Sequence, residues 1–267
     1  MSSAAEFYDK LLAEILDTPV AAVSQGFHWT RVTTTDQAMG LAYTMAGTTR
    51  PEISEKPYQE GESLTDVARL TLSWNLCEAA IGAAALNAHF STPEVARHNG
   101  FTPAGEGQFY PQVFEAFFEI VAGKKVAVVG HFPFAPAALE KASDFAMLET
   151  NAQPGDYPAS ACEFILPEAD FVFLSGSAIV NKTLPRLLEL SQDAFTTVVG
   201  PSTPLSPVLF DAGADYLAGL VTTDARGMEQ ALSAIRFPGM MDNGFRADQF
   251  SPGTNYRGIV ADLKELY

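Results

Sequence analysis

The sequence predicts a small α+β domain followed by a parallel α/β sheet with helices on both faces. Three apolar runs predict this sheet: residues 125–129, 171–174 and 196–199. Each run is rich in β-branched or aromatic residues, ends in a loop of glycines or hydroxyls, and precedes a helical pattern. Because the carboxyl ends of parallel strands meet at one edge of a sheet, we expect a ligand crevice at that edge.

Composition restricts the class of protein and its partners. With 267 residues, of which 47% are hydrophobic, the chain is long enough to bury the core of one large domain or two small ones. No apolar run approaches the roughly 18–20 residues of a membrane span, and no signal peptide is recognised. The net charge of −16 disfavours nucleic acid and anionic membranes as partners. Two cysteines, Cys77 and Cys162, exclude a disulfide framework, so we expect a cytoplasmic protein.

The chain is predicted to open with a helix and a small β-meander. Apolar residues at helical spacing predict a helix over residues 5–17. The period then changes, and β-branched or aromatic residues at 20–34 and 39–45 predict two or three antiparallel strands. Residues 47–63 are polar and contain prolines and glycines, so they are predicted to form a loop.

Two helices are predicted after that loop. Ser63, with an acidic residue three positions later, resembles a capping box at the start of a long amphipathic helix. Ser73-Trp74 divides this helix in two, and the small residues at 79–85 allow a neighbouring element to approach closely. Thr92-Pro93 then predicts an N-cap and a first-turn proline, with Asn99-Gly100 as the matching end.

A domain boundary is predicted near residue 105. Residues 102–108 are predicted to form a glycine-containing loop, and phenylalanines at helical spacing predict an aromatic helix over 109–120. We therefore assign residues 1–105 to the first domain and 106–267 to the second.

The first strand of the sheet leads into Gly130-His-Phe-Pro-Phe134, and a second strand is predicted at 145–148. Glu149 lies 19 residues after Gly130, close to the spacing at which dinucleotide-binding sheets place an acidic residue on a ribose hydroxyl. The G-x-G-x-x-G loop is absent, so NAD and FAD are disfavoured. A ribose-bearing ligand without a tightly held pyrophosphate, such as S-adenosylmethionine, stays open.

Two later loops carry hydroxyl and amide side chains at predicted helix starts. One runs from Ser175 to Thr183, where Lys182 adds a positive charge. The other runs from Gly200 to Pro204, with Thr203 as the predicted N-cap and Pro204 as the first helical residue. Free backbone N–H groups and the helix dipole favour an anion at such positions. The alternative is that both loops only cap their helices.

The end of the chain carries weaker signals. A strand is predicted at 216–222 and a helix at 224–235. From residue 236 onward, glycines and aromatic residues predict irregular structure, which we interpret as a surface tail rather than a lid. A last short helix is predicted over 258–266.

His131 is the predicted catalytic residue. It directly follows the first strand at the expected crevice, and histidine titrates near neutral pH, so it suits a general acid or base or a ligand contact. The alternative is a histidine that only hydrogen-bonds a neighbouring loop. His28, His89 and His98 are predicted to be structural. No H-x-x-x-H or C-x-x-C spacing occurs, so no protein-bound metal is predicted, and any metal is expected to arrive with the substrate.

Three motifs give the sequence a family resemblance: Val128-Val-Gly-His-Phe-Pro-Phe134, Gly176-Ser-Ala-Ile-Val-Asn-Lys-Thr183 and Gly200-Pro-Ser-Thr-Pro204. In their order and their placement at strand ends they resemble the largely uncharacterised prokaryotic family named "putative heavy-metal chelation". The resemblance covers nearly the whole chain. It implies an enolase-N-terminal-like α+β domain followed by a Rossmann-like doubly wound parallel sheet.

The resemblance also implies metal handling or the making of chelating or pterin-like cofactors, at a site between the two domains. By resemblance this site is lined by Gly130, His131, Phe132, Asn181, Thr183, Gly200, Pro201 and Ser202, with Asn87 contributed by the first domain. Together with the loops described above, the predicted ligand-binding residues are Gly130, Phe132, Pro133, Glu149, Ser175, Gly176, Ser177, Asn181, Lys182, Thr183, Gly200, Pro201, Ser202, Thr203 and Asn87.

We therefore expect a small anionic or heteroaromatic ligand, pterin-, flavin- or chelator-like, in the cleft between the domains. One hypothesis is an enzyme that condenses or hydrolyses this ligand, with His131 shuttling a proton. A second is a carrier or sensor of a metal–chelate complex without turnover. A third is a methyltransferase-like protein that places Glu149 on the ribose of S-adenosylmethionine. The sequence leaves these three open, together with the cofactor and the homo-oligomeric state.

Overall fold

A computed structural model describes residues 4–45, 47, 50–53, 60–105, 107–233 and 239–252. The strands are β1 Val20–Gln25, β2 Trp29–Thr34, β3 Met39–Tyr43, β4 Thr102–Pro103, β5 Lys125–Val129, β6 Asp144–Glu149, β7 Tyr157–Pro158, β8 Phe171–Ser175, β9 Phe195–Val199, β10 Tyr216–Thr222 and β11 Gly244–Phe250. The α-helices are α1 Ala4–Ala13, α2 Leu64–Ala68, α3 Leu76–Phe90, α4 Pro93–His98, α5 Tyr110–Glu115, α6 Ala135–Ala138, α7 Cys162–Ile165, α8 Leu184–Leu190, α9 Val208–Asp211 and α10 Ala225–Ser233. Short 3-10 helices cover Arg69–Leu72, Ala159–Ala161, Leu166–Glu168 and Gly176–Ile179.

The small antiparallel sheet, in the order β1-β2-β3, lies between α3 and α10. Successive residues of a strand point to opposite faces. Met39 and Leu41 of β3 therefore pack with Met228 of α10. Gly40 points the other way, where a Cβ atom would lie 2.0 Å from the backbone nitrogen of Ala88 in α3. The predicted meander is confirmed, and the small residues of α3 do admit a close neighbour.

The large sheet has the order β4-β11-β10-β9-β8-β5-β6-β7, and the six strands from β10 to β7 run parallel. One face, which includes Val172 and Leu174, packs against the first half of the chain (residues up to 105) and the helices α7 to α9. The other face, which includes Val128 and Phe173, packs against the aromatic segment around Phe114. Helices thus cover both faces, as the sequence predicts for buried parallel strands. No helix in the described ranges combines the length and apolarity that crossing a membrane requires.

The prediction of irregular structure after residue 236 is wrong for Gly244–Phe250. These residues form β11, which pairs with all seven residues of β10 in antiparallel register. Thr102–Pro103, predicted as loop, adds a short strand beyond β11. The strand pattern is hidden because Arg246 and Asp248 are charged and yet buried. The helix predicted over 258–266 lies outside the described residues.

Helix starts are predicted correctly where a side chain caps the first turn. Ser63 accepts a hydrogen bond from the backbone of Asp66, and Thr92 accepts one from Val95. The prediction that Thr203 caps a helix beginning at Pro204 is wrong, because the next helix begins only at Val208. The Thr203 N–H instead bonds the Gly200 carbonyl in a turn. The aromatic helix is also shorter than predicted and ends at Glu115.

A buried ion pair holds β11 in place. The Arg246 side chain is fully buried, and its guanidinium donates to both carboxylate oxygens of Asp248 at 2.8–3.1 Å. It also donates to the carbonyl oxygen of Phe109, at the start of α5. Burial raises the pKa of Asp248 above its usual range, although the Arg246 guanidinium opposes this. The pair therefore joins the sheet edge to the helix layer beneath it.

We predict that Gly40→Ala strongly destabilises the fold. The added methyl group would overlap the α3 backbone, which cannot move without displacing β3, so the free energy of unfolding should fall by about 3 kcal/mol. Chemical denaturation measures this loss. Gly105→Ala is the control, because its Cβ would meet only the Gln108 side chain at 3.4 Å. Equal stabilities of the two variants would contradict the close packing of β3 on α3.

We also predict that Arg246→Met destabilises the protein by about 3 kcal/mol or more, because it leaves the Asp248 carboxylate buried without its cation. Urea denaturation is the measurement. Arg186→Met is the matched control: Arg186 also binds two carboxylates, those of Glu163 and Glu189, but does so in solvent. It should change stability little. A loss as large in the control would show that burial is not the cause.

Candidate functional site

The loops that follow β5, β8 and β9 touch one another at the carboxyl edge of the large sheet. A Cβ atom at Gly130 would lie 2.9 Å from the Cβ of Ser175, and one at Gly176 would lie 2.3 Å from Oγ1 of Thr203. Gly130 and Gly200 also have φ angles of 113° and 118°, a region that favours glycine. The three glycine positions therefore let the three loops meet at this edge.

His131 forms a pair with a carboxylate at this edge. Its Nδ1 lies 2.9 Å from Oδ2 of Asp156, and the same oxygen accepts the Gln153 N–H at 2.8 Å. The Asp156 side chain is only 2% exposed, whereas that of His131 is 35% exposed. An ionised carboxylate can only accept a hydrogen bond, so Nδ1 carries the proton in this pair, and in the neutral imidazole Nε2 keeps a free lone pair. This is the arrangement of a general base or of a histidine that contacts a ligand.

Asp156 is a candidate site residue that the sequence analysis did not identify. It lies 25 residues from His131 in a polar turn, next to the two-residue strand β7, and neither feature forms a recognisable motif. Only the pairing of β6 with β7 turns this loop back toward the end of β5.

Glu149 holds together the loop after β5, which contains His131, and the loop after β6, which leads to Asp156. Its Oε2 accepts the N–H of His131 at 3.0 Å, and its Oε1 accepts those of Thr150 and Asn151 at 2.6 and 3.2 Å. Charge-assisted bonds of this kind are strong. The predicted contact with a ribose stays a prediction, and a ribose hydroxyl would share an oxygen with these backbone groups.

Two hydroxyl groups lie at the carboxyl end of β8. Oγ of Ser175 lies 2.8 Å from Oγ of Ser177, and it also accepts the Ser177 N–H at 3.3 Å. Ser175 therefore caps the short helix Gly176–Ile179. The pair adjoins Gly130 and can both donate and accept hydrogen bonds beside His131.

Asn181 builds the turn before α8. Its Oδ1 accepts both the N–H and the hydroxyl of Thr183, at 3.2 and 2.7 Å. The Thr183 side chain makes no capping bond to α8. Lys182, between them, turns toward Trp74 of the first half, with Nζ 5.4 Å from the ring centroid. These residues thus line the seam between the two halves of the chain.

Ser202 joins the two halves directly. Its hydroxyl is buried and accepts the Tyr43 N–H, at the end of β3, at 2.9 Å. Asn87 and Thr203 are fully buried, and within the described ranges Oδ1 of Asn87 and Oγ1 of Thr203 have no hydrogen-bond partner. The Asn87 amide donates to the carbonyl of Leu41 at 2.7 Å and so holds β3 on α3.

The remaining predicted residues are apolar. The centroid of the Phe132 ring lies 5.1 Å from that of Phe114, on the face of the sheet that packs against α5. Pro133 is exposed and Pro201 is half-buried. Phe132 therefore provides a hydrophobic base beneath the His131 loop, whereas Pro133 is open to solvent.

The side chains of this edge do not form a metal site. Across the described residues, no three or more His, Cys, Asp or Glu side chains converge as a metal would require. Both oxygens of Glu149 bind backbone amides, and Asp156 binds His131. A resident metal does not fit these residues.

Two cavities lie elsewhere on the described surface. One is lined by Lys125, Asp144 and Glu168 at the opposite, amino-terminal edge of the sheet. The other, which is larger, lies between the β1–β2 hairpin and α10. Its Trp29 ring lies 6.1 Å from that of Tyr43, whose backbone bonds Ser202. The larger cavity therefore continues the seam between the halves, and sequence reasoning predicted neither cavity.

Comparison with known families gives two matches along the chain. Residues 8–90 and residues 112–247 each match a family model described as "Putative heavy-metal chelation", the second of which is the DUF364 family. An uncharacterized protein of Methanocaldococcus jannaschii is 26% identical over 208 residues, 75% of each chain.

Two solved structures are similar over most of their length. A DUF364-family protein of unknown function from Desulfitobacterium hafniense is 35% identical, with a TM-score of 0.80 over 92% of this chain and 98% of that one. Another from Pyrococcus horikoshii is 21% identical, with a TM-score of 0.71 over 92% and 99% of the two chains. The second likeness concerns the fold alone.

We predict that Glu149→Gln loosens the loops around His131. An amide offers one acceptor oxygen in place of two charged ones, so the N–H groups of Thr150 and Asn151 should exchange with solvent about tenfold faster. Amide hydrogen exchange followed by mass spectrometry measures this. Glu168→Gln, at an exposed ion pair with Lys125, is the control and should leave these amides unchanged. Unaltered exchange in Glu149→Gln would contradict its role.

Proposed function

The chain belongs to the DUF364 family, described as "Putative heavy-metal chelation", and from this premise we propose that it binds a small anionic or heteroaromatic molecule at the carboxyl edge of the large sheet. The family resemblance drawn from the three motifs is thereby confirmed. The ligand class that we propose is pterin-, flavin- or chelator-like, and a metal would arrive as part of the ligand.

The pairing of His131 with Asp156 carries the proposal. A buried carboxylate that orients an exposed imidazole has little value for packing, but it presents Nε2 as a proton acceptor or ligand contact. The Ser175–Ser177 hydroxyl pair adjoins it, and Tyr43 and Ser202 bring the first half of the chain to the same edge. Together they support one site between the halves.

As an enzyme, the protein would condense or hydrolyse its ligand. Nε2 of His131 would take a proton from the attacking water or amine and return it to the leaving group. The hydroxyls of Ser175 and Ser177 would hold the ligand's polar atoms. Asp156 would stabilise the imidazolium between the two steps.

As a carrier or sensor, the protein would bind a metal–chelate complex without turnover. The Asn181, Thr183 and Ser202 side chains support this reading, because their hydrogen bonds serve loop structure and leave no activated nucleophile among them. The S-adenosylmethionine reading stands on Glu149 alone, whose oxygens already bind three backbone amides. It is therefore the least supported of the three.

We also propose that the chain forms two units, residues 1–105 and 106–267. The two family matches end at residue 90 and begin at residue 112, and this gap supports a division between them. The strand Thr102–Pro103 crosses it by joining the edge of the large sheet.

A thermal-shift screen tests the proposed function. We expect pterins, corrinoid precursors or metal chelates to raise the unfolding temperature, because a ligand that binds the native state stabilises it. Product analysis on each stabilising compound then separates enzyme from carrier. A shift by S-adenosylmethionine that Glu149→Ala abolishes would favour the third reading. No shift with any compound class would contradict the proposal.

We predict that Asp156→Ala changes the tautomer of His131. Without the carboxylate, Nδ1 loses this acceptor, so the neutral ring should adopt the Nε2–H form that predominates for a histidine side chain in water, and Nε2 would no longer offer a lone pair. Nitrogen chemical shifts in NMR spectra report the tautomer. Ligand binding or turnover should fall at least tenfold.

Asp193→Ala is the control for this experiment, because Asp193 is exposed and lies away from the site. The unfolding temperature of both variants shows whether the fold is intact. An unchanged His131 tautomer in a folded Asp156→Ala protein would contradict the assigned role of Asp156.

A further inference from the structure

Lys182 differs from the other lysines in the described part of the chain in having no carboxylate partner. Lys10, Lys124, Lys125 and Lys141 each lie at ion-pair distance from an acidic side chain. The chain has 32 acidic and only 16 basic residues, so acids are abundant. Within the described residues, no acidic side chain lies at ion-pair distance from the Lys182 amine, so its position calls for another explanation.

The Lys182 amine lies in the seam between the two halves of the chain. It donates to the Val180 carbonyl at 3.3 Å and lies 5.4 Å from the ring centroid of Trp74. Trp74, between the 3-10 helix Arg69–Leu72 and α3, is 65% exposed. One part of the indole therefore covers the amine, and the rest is open to a planar molecule.

The backbone around Lys182 directs this amine. Its φ angle of 65° lies in the left-handed region, which glycine or asparagine adopts more readily than lysine. The hydrogen bonds from Thr183 to Asn181 hold the turn. The turn thus fixes the backbone of Lys182, and from there the amine reaches the Val180 carbonyl and the Trp74 ring.

The charge state of the amine follows from its surroundings. Burial lowers the pKa of Lys182 to about 8. Roughly one amine in ten is then neutral at pH 7, against far fewer than one in a thousand for an ordinary lysine. Only the neutral amine has the lone pair that a nucleophile needs.

We propose that Lys182 is a nucleophilic amine that captures an aldehyde- or ketone-bearing ligand as an imine, with the open part of the Trp74 ring as its stacking surface. The nitrogen attacks the carbonyl carbon and a C–N bond forms. The two amine protons leave with the carbonyl oxygen as water, and no atom is oxidised or reduced overall. The inference does not depend on His131.

The alternative is that the contact between Lys182 and Trp74 is purely structural and only joins the two halves of the chain. A cation–π interaction stabilises the charged amine, so a purely structural Lys182 would stay protonated and unreactive at neutral pH. The two readings therefore differ in reactivity, which can be measured on the wild-type protein.

The first experiment measures the pH dependence of acylation of each lysine by an amine-selective reagent, with peptides resolved by mass spectrometry. Each lysine is normalised to its own plateau, which removes differences in access. We expect a midpoint near pH 8 for Lys182, about two units below the value usual for a lysine side chain. A Lys182 midpoint at the usual lysine value would overturn the proposal.

The second experiment traps the imine. The full chain is incubated with quinoline-2-carboxaldehyde and sodium cyanoborohydride at pH 7.5, and adducts are mapped. We expect Lys182 to carry at least tenfold more adduct than Lys10, Lys124, Lys125 or Lys141. His131→Ala should keep this adduct, which separates the result from the fate of the proposed function.

Two variants complete the test. Lys182→Arg keeps the positive charge over Trp74 but cannot form an imine, so it should lose the adduct and keep the unfolding temperature. Trp74→Leu should lower trapping severalfold by removing the stacking surface. Adduct spread evenly over all lysines of the wild type would overturn the proposal, whether or not the variants fold.

Discussion

The arrangement of the whole molecule depends on a steric constraint at Gly40. The backbone of β3 lies so close to α3 that no side chain fits between them. Asn87 secures this contact by its bond to the Leu41 carbonyl, and β3 then ends at Tyr43, whose N–H reaches Ser202. The absence of one side chain in the first half thus sets where that half meets the loops of the large sheet.

The charged groups near the site show how an acid-rich chain accommodates its carboxylates. Glu149 accepts hydrogen bonds from three backbone N–H groups, whereas Asp156 bonds one backbone N–H and the His131 imidazole, and these bonds stabilise both carboxylates. Asp248 instead has the buried guanidinium of Arg246. Within the part of the chain that the structure describes, neither Glu149 nor Asp156 bonds a lysine or arginine, so these carboxylates position His131 without a positive side chain bonded to them.

Much of the fold could be predicted because its signals are local. A strand buried on both faces is rich in apolar and β-branched residues, so the runs at residues 126–129, 171–174 and 196–199 stand out. Caps such as Ser63 and Thr92 act within three residues. The edge at which the loops would meet follows from strand direction alone. There the structure does bring Gly130 close to Ser175, and Gly176 close to Thr203.

What escaped prediction depends on partners far apart in sequence. β11 is a strand because Arg246 and Asp248 satisfy each other inside the protein, a fact that no local pattern expresses. Asp156 reaches His131 only through the pairing of β6 with β7. The edges of the large sheet carry a further consequence. Both outermost strands, Thr102–Pro103 and Tyr157–Pro158, are two residues long and contain a proline. A proline has no N–H to offer a strand from another molecule. Each margin of the large sheet thus resists recruiting a strand from a neighbouring chain.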